Sequence, residues 1–96
     1  MTVLGIPTVN YFSALDEASF FNWLKAIDGV VSVSGGGPEL HVKVRSKRLS
    51  DRSLRELIAL HARYGLPMRS LAVFENERNR EWFRDPNAYW FRKVFG

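Results

Sequence analysis

Two histidines, His41 and His61, and no cysteine bound the chemistry open to this 96-residue chain. The missing thiol excludes disulfides, thiolate metal sites and a cysteine nucleophile, and points to a reducing cytoplasm. An acid–base enzyme would want a histidine in a cleft beside a carboxylate, and no motif here supplies one. His41 lies on the polar face of an alternating stretch and His61 on a helical stripe, where each is expected to hydrogen-bond locally. Two histidines without a ligand-spaced carboxylate also make a poor zinc set. The Gly35-Gly36-Gly37 run is no phosphate cradle, because Pro38 leads it into a strand and not into a helix N-terminus. The expectation is a non-enzymatic protein with no catalytic residue, no metal and no cofactor.

Charge gives a stronger signal than catalytic residue types. The formal net charge is +4, yet residues 1–44 carry two basic and four acidic side chains against twelve and six in residues 45–96. The densest basic stretch holds Lys43, Arg45, Lys47, Arg48, Arg52 and Arg55, offset only by Asp51. Together with His41 these are the candidate binding residues, and such a patch suits an acidic protein or phosphate groups. A sheet that reads single-stranded RNA would expose aromatic rings on its central strands, whereas the positions facing outward here are His41, Lys43 and Arg45. A protein partner is therefore favoured, with nucleic acid as the alternative.

The remaining signal is aromatic. Seven of the thirteen aromatic residues lie between Phe74 and Phe95. Rings of this size bury about 150 to 250 Å² each, so this tail is expected to close the core and to pack on Phe20, Phe21 and Trp23.

The elements that position these residues follow from periodicity. Thr8 to Phe12 favours a strand, with Pro7 limiting its start and residues 2–6 extending it or lying alongside. Asp16 is expected to cap a helix carrying Phe20, Phe21, Trp23, Leu24 and Ile27, with Gly29 beyond its end. Val30 to Val33 and Leu40 to Arg45 read as a hairpin around Ser34 to Pro38. Ser50 or Asp51 caps a second helix with a stripe of Leu54, Leu57, Ile58 and His61, ending near Gly65. Residues 66–75 favour a helix, although a strand there would complete a ferredoxin-like βαββαβ order followed by C-terminal helices. Asn79, Trp82 and Phe83 suit a short helix, and Asp85-Pro86 is expected to open a last one. The whole is read as one α+β domain over residues 1–96, a small antiparallel sheet in β-α-β-β-α order packed with helices and closed by a helical C-terminal segment. No apolar run approaches the roughly 20 residues that span a bilayer, so no membrane is expected among its partners.

Leu15-Asp16, Phe20-Phe21, Trp23-Leu24, Arg63-Tyr64-Gly65, Trp82-Phe83, Tyr89-Trp90 and Val94-Phe95-Gly96 form a pattern over most of the chain. It resembles small uncharacterised bacterial proteins, some of them similar to the immunity partners of toxin and immunity modules. The resemblance implies a cytoplasmic protein that binds and neutralises one cognate toxin. Inhibitors of nucleases are often acidic, so a basic chain of this kind implies a toxin with an acidic face or one that is not a nuclease.

Overall fold

The computed structural model describes residues 1–7 and 9–96. Strand β1 (Thr2–Pro7) leads to helix α1 (Ala14–Ala26), then to the hairpin of β2 (Val30–Gly36) and β3 (Glu39–Val44), and to helix α2 (Asp51–Arg63). A 3-10 helix (Arg69–Phe74) and two short helices, α3 (Arg80–Phe83) and α4 (Phe91–Val94), complete the chain. The sheet is antiparallel in the order β1-β3-β2, which gives the expected α+β class and element order. These are the first three strand positions of a ferredoxin-like sheet. The alternative with a fourth strand in residues 66–75 does not hold: Leu71 and Phe74 are fully buried on one side of the 3-10 helix, as their three-residue spacing favours.

Alternation along β3 sets the layers. Val42 and Val44 have no exposure, whereas His41 is half-buried and Lys43 exposed, so one face of the sheet is core and the other open. In the ladder Leu4 lies opposite Val42 and Ile6 opposite Leu40, which puts the β1 core residues on the same face. Phe20 and Leu24 of α1 and Leu54, Leu57, Ile58 and Leu60 of α2 cover that face. On the open face Glu39 lies across Gly5, where an added Cβ would come within 3.1 Å of its carboxylate. Between β2 and β3 a two-residue turn places Gly37 at φ 69°, a conformation that favours glycine.

Three local expectations are corrected. First, the initial strand is Thr2–Pro7 and not residues 8–12. Thr8 lies outside the described residues, and Val9 to Phe12 are irregular, so Pro7 ends the strand and does not begin it. Second, the cap of α1 is Ser13, whose Oγ accepts from the Asp16 N–H at 3.1 Å. Asp16 Oδ2, at the third helical position, accepts in return from the Phe12 N–H at 2.9 Å, one residue before the cap, so the two side chains clamp the helix start from both sides. For α2 the cap is Ser50, which accepts from the Ser53 N–H. Third, Asp85-Pro86 opens a turn and not a helix: Asp85 Oδ1 accepts from the Asn87 N–H, and the Ala88 N–H donates to the Asp85 carbonyl, delaying the helix until Phe91.

The aromatic rings form two clusters. Phe20 packs edge-on against Tyr64 at 4.9 Å and near Tyr11 and Phe21, so α1 finds its rings in the β1–α1 connection and at the end of α2. The tail packs largely on itself: Phe83 meets Phe95 at 4.9 Å, Trp82 meets Trp90 at 6.0 Å, and Trp90 Nε1 donates to the Phe83 carbonyl at 2.7 Å. Among the described residues no ring pair joins the two sets, so the tail shares one core with Phe20, Phe21 and Trp23 without stacking its rings on theirs. Within that core Phe74, Phe83 and Val94 have no exposure. Phe83→Ala should therefore cost about 3 to 5 kcal/mol in denaturant unfolding, whereas Tyr89→Ala, at a ring left 60% exposed, should stay within about 0.5 kcal/mol of the parent.

Candidate functional site

The basic stretch of the sequence does not form one surface. His41 and Lys43 project from the open face of the sheet, opposite Val42 and Val44, and His41 Nε2 lies 3.4 Å from Glu39 Oε1. Arg45 follows β3, its N–H donating to the Gly29 carbonyl, and Lys47 is exposed in the connection to α2. Arg52 lines the groove between α1 and α2 with Trp23, Asp28 and Glu56, and Trp23 Nε1 closes that groove with a 2.9 Å bond to Glu56. On another side of α2, the Arg55 guanidinium lies 4.0 Å over the Trp82 ring, a cation–π contact that fastens the tail to the helix.

Only Arg48 of this stretch enters a cleft of about 880 Å³ between the start of α2 and the loop before α3. Arg48, Leu49, Ser50 and Asp51 form one wall and Asn76, Glu77, Arg78 and Arg80 the other. Arg78 and Arg80 are the residues that sequence reasoning missed. Their signal lay in the second cationic run, Arg78, Arg80 and Arg84, which has the appearance of an ordinary helix surface unless its spatial neighbour is known.

Local chemistry fixes the second wall. Asn79 is 1% exposed, and its amide Nδ2 donates to the Phe74 carbonyl at 2.8 Å while its Oδ1 accepts from the Asn76 N–H at 2.9 Å. Asn76 Oδ1 accepts in turn from the Arg78 and Asn79 N–H groups. Two asparagines three residues apart thus satisfy the backbone of the loop that carries Arg78 and Arg80. Glu75 restrains the next charges: it accepts a two-pronged bond from Arg84, with Nη2 to Oε1 at 2.8 Å, and a 3.3 Å contact from Arg80 Nε. Arg84 also lies over the Phe95 ring at 4.1 Å. The Arg84 bond holds the Glu75 carboxyl below the usual glutamate range, with the Arg80 contact adding to it and burial opposing both. Among the described residues Arg48 and Arg78 have no acidic partner.

A cleft with arginines on both walls suits carboxylates or phosphates, which match the planar fork of arginine. His61 lies outside this cleft, in a groove that Arg69 and Lys93 also line. It is 1% exposed on the core side of α2, and its Nδ1 lies 2.7 Å from the Leu57 carbonyl, the local bond expected of it. Among the described residues, no group of three or more His, Asp or Glu side chains is placed to hold a metal ion, and no helix is long and apolar enough to cross a membrane.

Burial lowers the His61 pKa below its ordinary 6.5, with the Leu57 bond opposing the shift. A histidine with a depressed folded-state pKa stabilises the fold above its unfolded value and loses that contribution as pH falls. Stability should decline as pH drops below about 6.5, and His61→Leu, measured by denaturant unfolding across the same range, should show a flatter profile. Comparison with protein-family models, with curated proteins and with solved structures finds none that matches this chain.

Proposed function

We propose that the protein is a non-enzymatic binding domain that captures an acidic protein partner through the Arg48–Arg78–Arg80 cleft. The observation that carries this is one cleft lined by arginines from two sequence-distant segments, with Arg48 and Arg78 left without acidic partners among the described residues. Arg80 is steadied by Glu75, so part of the charge is positioned before any partner arrives. Asp51 and Glu77 interrupt the positive lining, which suits a protein surface of alternating sign better than a uniform phosphate backbone. The resemblance to immunity proteins gives this reading its sharper form: a cytoplasmic inhibitor of one toxin whose docking face is acidic. Nucleic-acid binding at the same cleft is the second reading, supported by the affinity of the arginine fork of Arg48, Arg78 and Arg80 for phosphate as well as carboxylate.

Co-expression with the products of neighbouring genes tests the proposal. One product should arrest growth alone and be neutralised by this chain, and the double variant Arg48→Glu/Arg78→Glu should weaken the complex by at least about 100-fold, with the loss smaller at high salt. Binding of random duplex or single-stranded nucleic acid that falls steeply with salt, and that the same variant abolishes, would instead establish the second reading.

A further inference from the structure

The sheet has two edges, and only one is protected. On β2 the register shifts between Val30 and Ser32, a bulge that leaves Val31 half-exposed and interrupts regular pairing along that edge. The β1 edge has none of the usual guards. No charged residue occurs before Asp16 in the sequence, no bulge interrupts the pairing of β1 with β3, and proline appears only at its last position. Among the described residues, no backbone hydrogen bond outside the ladder with β3 engages Thr2–Pro7, so the outward N–H and C=O groups of this edge have no protein partner. In a ferredoxin-like sheet this is the place of the fourth strand, which here is a 3-10 helix instead.

We propose that the β1 edge pairs with β1 of a second copy of this chain, antiparallel across a two-fold axis, to form a continuous six-stranded sheet. Side-chain parity restricts the register: opposed residues must point to the same face, so the axis passes through a residue and not between two. An axis through Leu4 sets Val3 against Gly5 of the second copy and Thr2 against its Ile6. This keeps the core faces of both copies on one side and leaves Pro7, which has no N–H to donate, beyond the ladder.

The exposed apolar side chains fit this arrangement. Val3 is 57% exposed on the open face, and Phe12, 96% exposed, lines the groove beside the Pro7 end of the strand. Antiparallel pairing brings the Phe12 end of each copy to the Met1 end of the other, where Met1 is 78% exposed. Charge favours a second copy over a separate acidic protein at this edge. Strand β1 carries no charged side chain, and the pairing sets Lys43, beside Val3 of one copy, toward Glu39, over Gly5 of the other, so two copies of net charge +4 can meet there while their arginine clefts, built from residues 48–51 and 76–80, stay outside it.

Sedimentation of the full chain over about 1 to 100 µM should show a dimer. Val3→Lys, a charge on the edge, and Phe12→Asp, at its flank, should each raise the dissociation constant by at least about 10-fold with unchanged circular dichroism. Arg78→Glu should leave the dimer intact, which separates this surface from the cleft. Hydrogen exchange should show outward β1 amides protected in the parent and released in Val3→Lys. A parent chain that stays monomeric at every concentration, or a dimer that both variants leave unchanged, would overturn the proposal.

Discussion

One-sided burial of the central strand governs this fold. Val42 and Val44 lose all exposure under the helices, and because side chains alternate, the same constraint turns His41 and Lys43 to the open face. Once β3 is set, β1 and β2 can add only with Leu4, Ile6 and Val33 on the covered side, and both helices must lie there. The division of the basic stretch follows. Alternation sends its strand residues one way, and the turn into α2 sends Arg48, Arg52 and Arg55 to three different surroundings.

Much of the scaffold was legible because its signals were local. The alternation of Leu40, Val42 and Val44, the glycine turn, the cap at Ser50 and the stop at Gly65 each depend on neighbours in sequence, and each forms nearly where expected. The first strand was misread because Val9, Tyr11 and Phe12 have higher strand propensity than Thr2 to Pro7. Pairing with β3 outweighs that preference, since Leu4 and Ile6 can reach the core from the earlier register. At Ser13 and Asp16, two good capping residues compete, and the bonds from the Asp16 N–H to Ser13 and from the Phe12 N–H to Asp16 put the serine at the end.

The candidate site was less legible, for a geometric reason. Arg48 was evident as part of a cationic run, but its neighbours Arg78 and Arg80 come from a segment about thirty residues later, and only the packing of the tail against α2 brings them near. The Arg55–Trp82 contact helps make that junction, so a residue that seemed to belong to the binding surface instead positions it. The self-packed aromatic tail has the same origin: the rings of Trp82, Phe83, Trp90 and Phe95 pack on one another, leaving α1 to pair with Tyr11 and Tyr64.

Buried Asn79 has a consequence for association. Its bonds to the Phe74 carbonyl and the Asn76 N–H hold a short irregular loop without help from a regular element. The conformational entropy of that loop is lost when the chain folds, not when a ligand arrives. A partner meeting Arg78 and Arg80 would therefore encounter a preorganised template, with only the long guanidinium stems left to order. Complexes formed on such a rigid wall should differ in lifetime more than in the speed of encounter, because their quality depends on how well the partner's anions match fixed positions.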